Sequence, residues 1–216
     1  MSTPSPFVEP RQQRSRRTLQ RIVDAFEQAL DAQTFEEITV GALCQRAGCS
    51  VGTFYGRVES KDMLLEHLRQ RVFEQMRSTL AELFSPEQAQ QRSLSQLIKE
   101  QLQTLVDLHD QRRGVLRAVI VQARRQTAFA GPTREFNAAV LRLVADSWLV
   151  HRDVIAHPDP VAAVEQATLM AVGYLRESIV FGELWSTQRA LSGDARVQTL
   201  HRLLVGFLVG PCCPQP

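Results

Sequence analysis

A short stretch containing glycine and serine is the first place where this sequence could do chemistry. Residues 48–52, with the sequence G-C-S-V-G, match the G-x-S-x-G nucleophile elbow, in which a strained turn presents a serine to the substrate. That elbow follows a β-strand, whereas the residues before Gly48 have helical periodicity and the sequence lacks strand-like alternation. The pattern therefore argues against a serine hydrolase, and we predict that the protein is not an enzyme.

Side chains that could bind a metal ion are grouped in one segment, which contains His151, Asp153, His157 and Asp159. Prolines at positions 158 and 160 favour a solvated turn there, and no H-E-x-x-H motif occurs. The four cysteines have neither C-x-x-C nor zinc-finger spacing; they are Cys44, Cys49, Cys212 and Cys213. We interpret the first two as buried packing residues and the last two as part of an exposed tail, and we predict no metal and no cofactor.

The segment from Thr39 to Tyr55 carries the most informative pattern. It reads as a helix, a tight glycine turn and a short helix, which is the arrangement that enters a DNA major groove. Thr39 is a good N-cap for the first helix, and Gly48 suits the left-handed position that follows a helix end. Ser50 caps a second helix from Val51 to about Arg57, whose first residues are expected to face the base edges.

The second helix of this segment carries side chains that suit DNA. Gly52 leaves a surface without bulk, so the backbone can approach the duplex. Thr53 offers a hydroxyl and a methyl group, and Tyr55 offers a phenol that can reach a phosphate or a thymine methyl. Arg57 and Lys61 are expected to place positive charges beside the same DNA backbone.

Positive charge is concentrated at the N-terminus, although the whole chain carries a formal net charge of only +2. The arginines at positions 11, 14, 16, 17 and 21 are accompanied by one acidic residue, Glu9. A basic arm ahead of a folded domain commonly contacts phosphates, so we predict a flexible basic arm over residues 1–13. A frayed and solvated terminus is the alternative.

Composition indicates an ordinary globular protein of 216 residues, 44% of them hydrophobic and 22% charged. The longest strongly apolar run, residues 203–209, is far shorter than the ~20 residues that cross a bilayer. Residues 1–10 are polar and proline-rich, unlike a secretory leader. We therefore expect a cytoplasmic protein without membrane contact.

Hydrophobic spacing is helical almost throughout and predicts an all-α fold of about nine helices. The predicted helices are 14–32, 39–47, 51–57, a segment of some twenty residues capped by Ser60, 94–108, 115–125, 132–151 with Pro132 in the first turn, 161–184 and 195–209.

Residues 39–64 resemble the DNA-binding segment of tetracycline-repressor-like (TetR-family) regulators. The residues that fit the family pattern are Ala47, Gly48, Ser50, Gly52, Phe54, Tyr55, Ser60, Lys61, Asp62 and Leu64. Residues 14–39 resemble the first helix of that family and its lead-in to the helix-turn-helix. Arg57 and Val58 stand where the family often has an aromatic pair, and Cys49 replaces a usual valine. The rest of the chain matches only in helix count, length and the last two long helices.

The resemblance implies a three-helix DNA-binding domain at residues 14–62, joined to a ligand-binding and dimerisation bundle at residues 63–216. It implies a homodimer that binds a palindromic double-stranded DNA operator and responds to a small-molecule effector, most simply as a repressor released by that ligand. The DNA-binding residues expected from the motif and the basic arm are Arg14, Arg17, Thr39, Ser50, Val51, Gly52, Thr53, Tyr55, Gly56, Arg57 and Lys61.

The C-terminal half offers candidates for the dimer interface and the effector site. The last helix is more apolar than one amphipathic helix needs for its own core, so a second copy could cover the excess, although closure of the monomer core is an alternative. Aromatic and methionine side chains at helical spacing could line a pocket or simply form core; they are Phe136, Trp148, Met170, Tyr174, Phe181 and Trp185, with Arg117 and Gln122 as polar candidates.

Two other classes of protein remain as alternatives. An all-helical small-molecule carrier or enzyme would have no affinity for an operator. An effector-independent DNA-binding protein would show weak sequence preference, steep salt dependence and no stabilisation by any compound.

Overall fold

The structure, a computed structural model, describes residues 13–182 and 192–210, and their regular secondary structure is helical. The ten α-helices in these ranges are α1 (Gln13–Ala32), α2 (Val40–Ala47), α3 (Val51–Tyr55), α4 (Lys61–Leu83), α5 (Pro86–Ala89), α6 (Leu94–Gln111), α7 (Arg113–Arg125), α8 (Thr127–Trp148), α9 (Pro160–Val180) and α10 (Gly193–Val209). A 3-10 helix, Leu149–Val154, follows α8. The all-α prediction is confirmed, and the helix that the sequence reading missed is the single turn α5, capped by Ser85.

Some sequence-based expectations fall outside the described residues. They include all but the last residue of the basic arm at 1–13 and the side chains of Trp185, Cys212 and Cys213. Arg14 lies in α1, but its side chain is not among those described.

Several predicted helix boundaries were wrong, among them the end of the helix predicted over residues 161–184, since α9 ends at Val180 and Phe181 leaves the helical conformation. The short helix α3 ends at Tyr55 rather than Arg57, because the Gly56 and Arg57 amides turn back to the carbonyls of Gly52 and Phe54 at 3.0 and 2.9 Å. Helix α8 begins at Thr127, so Pro132 lies inside it and not in its first turn. The earlier start follows from Phe129, which is buried and holds the first turn in the core.

The chain divides into two compact units. The first comprises residues 1–74 and 112–133, and the second comprises residues 75–111 and 134–216. The first unit therefore contains α1 to α3, the beginning of α4, α7 and the first residues of α8. This grouping differs from the predicted boundary at residue 62 between a DNA-binding domain and a ligand-binding domain. That residues 14–62 form the DNA-binding domain stays a prediction.

The core of the first unit forms around the predicted apolar stripe of α1. Ile22, Phe26 and Leu30 on this stripe are fully buried. Phe35 lies in the loop before α2, and its ring packs edge to face against the Phe26 ring with 6.2 Å between the ring centroids. Val58 is also fully buried and fills part of this core.

Helix α7 lies against α1 in the first unit at very short range. A Cβ on Gly114 would lie 2.5 Å from the Leu30 carbonyl carbon and 2.6 Å from the Asp31 backbone nitrogen, so only glycine fits there. Arg117 donates to the carbonyls of Leu30 and Gln33 at 2.8 and 2.7 Å. These contacts cap the C-terminal end of α1, whose last carbonyls lack helical partners.

The second unit is built on apolar packing, with α10 against α6 and α9. Its buried residues include Leu97, Ile98, Leu102 and Val106 of α6, Ala163, Val164, Ala167 and Leu175 of α9, and Leu200, Leu204 and Leu208 of α10. Asp159 caps α9 by accepting from the amides of Val161 and Ala162 at 3.0 and 3.1 Å. Among the described residues, no helix combines the length and the apolar character needed to span a bilayer.

Candidate nucleic-acid interface and effector cavity

The turn between α2 and α3 has the geometry that the sequence predicted. Thr39 accepts a hydrogen bond from the Ala42 amide at 3.2 Å, which caps α2. Gly48 follows the last residue of α2 with φ 60° and ψ 47°, a left-handed conformation that favours glycine. The Gly48 and Cys49 amides donate to the carbonyls of Gln45 and Cys44 at 3.3 and 3.0 Å, which closes a Schellman turn.

Helix α3 is anchored on one side and exposed on the other. The Ser50 hydroxyl accepts from the Thr53 amide at 3.1 Å and contacts the Thr53 hydroxyl at 2.9 Å, so the first turn is capped. Phe54 is fully buried and holds the helix on the core. Val51 and Tyr55 are 47% and 54% exposed, although both are large apolar or aromatic side chains. The buried face fixes the helix, and the outward face is left free for a partner.

We call the outward face of α3 the recognition surface and define it as Val51, Gly52, Thr53 and Tyr55. Gly52 has open space where a side chain would stand, since the nearest atom to its Cβ position is the Ser50 hydroxyl at 4.0 Å. The surface is thus a flat glycine patch flanked by a methyl, a hydroxyl and a phenol. Such groups can contact thymine methyls, base edges and phosphate oxygens.

Arg57 and Gly56 close the C-terminal end of α3. The Arg57 guanidinium folds back and donates from Nη1 to the Thr53 carbonyl at 2.9 Å, while its Nε is buried without a partner. Gly56 is exposed, and a Cβ there would lie 3.3 Å from the Gly52 carbonyl. Arg57 therefore serves as a helix cap, and its remaining guanidinium nitrogen is the part that could meet a phosphate.

Lys61 is placed differently from the sequence-based expectation. Its Nζ donates to the carbonyls of Phe35 and Ile38 at 2.6 and 2.7 Å and lies 4.3 Å from the centroid of the Phe35 ring. Burial lowers the pKa of the Lys61 ammonium, and the carboxylates of Asp62 and Glu36 act in the opposite direction. Two of its three donors thus tie down the loop before α2, because that loop has carbonyls that no helix satisfies.

The basic residues around the turn include two that the motif reading left out. Arg46 is exposed in the last turn of α2. An Arg21 guanidinium nitrogen lies 3.5 Å from the Cβ position of Gly48, beside the turn. Arg17, which was predicted, is exposed on α1. The available signal for Arg46 was its position one residue before the end of α2, where a cation also suits the helix dipole.

A small cavity lies within the second unit. Its walls are formed by Phe84, Gln101, Leu102, Leu105, Val140, Val144, Trp148, Thr168, Ala171 and Val172. The cavity volume of about 20 Å³ has room for about one water molecule. No charged side chain is among these residues, so the cavity is suited to uncharged, apolar groups.

The polar groups at the cavity are already satisfied. The Gln101 amide nitrogen donates to the Ser147 hydroxyl at 3.1 Å and to the Leu83 carbonyl at 3.3 Å, and its oxygen accepts from the Trp148 indole at 2.5 Å. The Thr168 hydroxyl donates to the Val164 carbonyl at 2.8 Å. Gln101 is the feature that the sequence analysis missed; its signal was its position on the apolar face of α6, three residues after Ile98 and four before Leu105.

Of the eight side chains proposed for an effector site, Trp185 lies outside the described residues, and of the other seven only Trp148 lines this cavity. Arg117 and Gln122 lie in the first unit, where Gln122 is buried and donates to Glu36 at 2.9 Å. Phe136 is buried elsewhere in the second unit. Met170 and Tyr174 are half-buried on α9, and Phe181, just beyond α9, is 46% exposed.

The histidine and aspartate segment considered for metal binding makes local contacts. His151 Nε2 lies 3.0 Å from the Ala89 carbonyl, and His157 Nδ1 accepts from the Asp159 amide at 3.0 Å. Asp159 is the N-cap of α9. These positions give the side chains structural roles at helix ends.

Comparison with solved structures identifies the fold. The structure is similar to a protein from Mesorhizobium loti assigned to the TetR family of transcriptional regulators, with a TM-score of 0.66, 16% identity, and coverage of 91% of this chain and 97% of that one. It is similar to NalD of Pseudomonas aeruginosa, the secondary repressor of the MexAB-OprM multidrug efflux pump, with a TM-score of 0.62, 19% identity, and coverage of 92% and 98%.

A TetR-family regulator from Streptomyces coelicolor also matches, with a TM-score of 0.59, 18% identity, and coverage of 87% of this chain and 79% of the other. No protein-family profile matches the chain, and no curated protein sequence does. The chain therefore has the fold of TetR-family transcriptional regulators over about nine-tenths of its length, as the helix-turn-helix motif led us to expect.

Proposed function

We propose that this protein is a sequence-specific transcriptional repressor, released by a small-molecule effector, that binds a palindromic operator as a homodimer. The observation that carries the proposal is the recognition surface, the face of a capped helix on which the large side chains of Val51 and Tyr55 are about half exposed. The fold supports it, since NalD, which shares that fold, is a repressor. A protein of this kind would act in the cytoplasm and would perform no catalysis.

In this proposal α3 lies in the major groove, and each copy of the chain reads one half-site. Val51 and Tyr55 supply the apolar and phenolic contacts, and Gly52 allows the backbone to approach the bases. Half-sites of a dimer of this type are spaced by roughly 34–36 Å, one helical turn, or somewhat more. Arg17, Arg46 and the N-terminal arginines would contact phosphates.

The homodimer part of the proposal rests on exposed apolar side chains of α9 and α10. Leu169 and Val161 of α9 are 67% and 49% exposed, and Leu203 and Val209 of α10 are 49% and 41% exposed. These exposed apolar side chains lie on two long helices of the same unit. They are suited to pack against the same side chains of a second copy of the chain, because a twofold interface pairs the same patch on both subunits.

The operator is the decisive test of the DNA-binding proposal. Fragments of the source genome that the purified protein retains should contain one inverted-repeat sequence, and Tyr55→Ala should weaken binding to it roughly tenfold or more, for a lost contact of about 1–3 kcal/mol. The matched control is Tyr174→Ala in the second unit, which should leave operator affinity unchanged. A folded Tyr55→Ala variant with unaltered affinity, or retention of random fragments only, would contradict the proposal.

The dimer interface is tested by charge substitution on the exposed leucines. Leu169→Glu together with Leu203→Glu should convert the protein to a monomer in sedimentation experiments, because four carboxylates would face one another across the twofold interface. Val154→Glu, at a similarly exposed position in the 3-10 helix, is the control and should stay dimeric. A wild-type protein that sediments as a monomer would refute this part.

The effector part predicts an uncharged ligand, since no charged residue lines the cavity. An organic ligand would have to widen the cavity, whose volume of about 20 Å³ has room for about one water molecule. In a Trp185→Phe variant, Trp148 becomes the only tryptophan and reports directly on the cavity wall. Toluene should change its emission saturably, whereas benzoate, of similar size but charged, should not. Equal responses to both compounds would contradict an apolar effector site, and so would no response to either.

A further inference from the structure

The Schellman turn that ends α2 brings two cysteines together. In this type of turn, the residue three positions before the end of the helix and the residue after the left-handed glycine are joined by a backbone hydrogen bond, and their side chains are frequently in contact. Here those residues are Cys44 and Cys49, joined by the amide-to-carbonyl bond of 3.0 Å. Both cysteines are free.

The two thiols differ in exposure. Cys44 is 3% exposed in the core, whereas Cys49 is partly exposed in the turn. Burial raises the pKa of the Cys44 thiol, and the neighbouring Cys49 adds to the increase, so Cys44 stays protonated. Cys49 is thus the thiol that a reagent from solution reaches first, and Cys44 stands behind it.

The backbone holds the Cα atoms of Cys44 and Cys49 at a separation close to that found in disulfides. Standard bond lengths and the hydrogen bond between the two residues keep their Cα atoms at most about 7 Å apart, and disulfides occur at roughly 4.4–6.8 Å. The S–S bond is about 2.05 Å, much shorter than a thiol–thiol contact, so forming it must still draw the two side chains together.

We propose that Cys44 and Cys49 form a redox-modification site in the helix-turn-helix, with hydroperoxides as its oxidants. The Cys49 thiolate attacks the terminal oxygen of the hydroperoxide, and the O–O bond breaks. The sulfur keeps that OH group as a sulfenic acid, and the other oxygen leaves as an alkoxide, or as hydroxide when the oxidant is hydrogen peroxide. The Cys44 sulfur then attacks the sulfenic sulfur; the S–S bond forms, the S–O bond breaks and water leaves with the Cys44 proton. Two thiols lose two electrons, and one hydroperoxide is reduced by two electrons.

The disulfide acts on the recognition surface, and this consequence rests on the proposed DNA-binding function. Cys44 is fixed in the core beside Leu43 and Ala47. When the disulfide shortens the distance between the two sulfur atoms, Cys49 and the turn are therefore the parts that move. The next residue, Ser50, caps α3. Oxidation therefore shifts the cap and the start of α3, and it weakens operator binding.

Trypsin offers a direct test, because it cleaves after Arg46, between the two cysteines. A Cys212→Ser/Cys213→Ser background removes the other two thiols. After hydrogen peroxide treatment, peptides 22–46 and 47–57 should appear as one disulfide-linked species that lacks two hydrogen atoms and separates on reduction. If both thiols stay free, or stop at sulfenic acid, while an exposed thiol in a reference peptide is oxidised, the proposal is overturned.

Operator binding is measured in parallel on the same samples. Oxidation should lower affinity at least about tenfold, as expected when a base-reading helix is displaced, and reduction should restore it. Cys49→Val is the matched control; it keeps an apolar side chain in the turn and should bind DNA equally with and without peroxide. A disulfide without loss of affinity would refute the effect on α3. Failure of the reduced protein to bind any operator would refute the proposed function and leave the peptide result standing.

Discussion

Both units of this protein have apolar cores, but they differ in the polar contacts that accompany those cores. In the first unit, charged side chains bond to particular atoms: Lys61 and Arg117 each bond to two backbone carbonyls, and Glu27 pairs with both Arg71 and Arg112. In the second unit, the interior consists mainly of leucine, valine and alanine, with a buried polar cluster around Gln101. Hydrogen bonds are directional and hydrophobic contacts are not. The first unit is therefore suited to hold α3 in a fixed position, and the second unit is suited to accommodate a small ligand.

Among the substitutions that test this comparison, a methyl group at Gly114 should have the largest effect on stability. Gly114→Ala places a Cβ 2.5–2.6 Å from backbone atoms of Leu30 and Asp31, which cannot move without displacing α1, so we expect a loss of about 3 kcal/mol in the free energy of unfolding. Gly131→Ala is the control, since its Cβ meets nothing within 4 Å, and the change should stay within about 1 kcal/mol. Urea unfolding measures both, and similar values for the two variants would show that α7 and α1 are not in close contact.

Gln101→Leu tests how much the buried polar cluster around Gln101 contributes to the stability of the second unit. It leaves the Trp148 indole nitrogen and the Leu83 carbonyl without their partner, and we expect unfolding free energy to fall by about 2 kcal/mol. Gln103→Leu on the same helix, whose side chain bonds an exposed Asp107, should change it by no more than about 0.5 kcal/mol. A stabilised Gln101→Leu protein would mean that the second unit needs no polar cluster.

Lys61→Met tests whether the first unit depends on charged contacts to backbone carbonyls. The methionine keeps most of the apolar stem but loses both hydrogen bonds to the loop before α2, and we expect a loss of about 1–2 kcal/mol in urea unfolding. Tyr55→Ala in the same unit should change stability by no more than about 0.5 kcal/mol, because its ring is 54% exposed. Equal stability of Lys61→Met and wild type would assign Lys61 to the DNA surface alone.

The smallest expected effect is a pH dependence in the second unit. Burial lowers the pKa of His109 below its usual value, Arg176 and Arg196 lower it further, and the hydrogen bond to the Leu105 carbonyl and the charge of Asp110 oppose this. The unfolded chain therefore binds the proton more readily, and stability falls as pH drops below about 6.5. His109→Gln, which keeps a donor but does not titrate, should show a smaller loss of unfolding free energy from pH 7 to pH 5. An identical pH profile for the two proteins would remove His109 from this account.

Local features of the helix-turn-helix were predicted well. The Thr39 and Ser50 caps and the left-handed Gly48 depend on residues within a few positions of one another, so the sequence pattern contains the complete set of interacting groups. Even there, the contact between Cys44 and Cys49 went unrecognised, although the glycine between them was the signal for a turn that joins such side chains.

The effector-site expectation shows where sequence reasoning stops. Arg117 and Gln122 were grouped with aromatic residues of the C-terminal half because they lie near them in sequence, but they bond to Leu30, Gln33 and Glu36 of the first unit. Gln101, which lines the cavity, lies on the apolar face of α6, so its burial could have been predicted from helical spacing, but its partners Trp148 and Ser147 could not.

The sequence by itself determined the all-helical fold, the caps and the turn, because periodicity, capping and backbone preference act over distances of a few residues. Only the tertiary structure decided the partners of the long polar side chains. The partner of Lys61 at Ile38 is 23 residues away, and that of Arg117 at Leu30 is 87 residues away. A flexible side chain can reach many groups, and which one it meets depends on how helices far apart in sequence pack together.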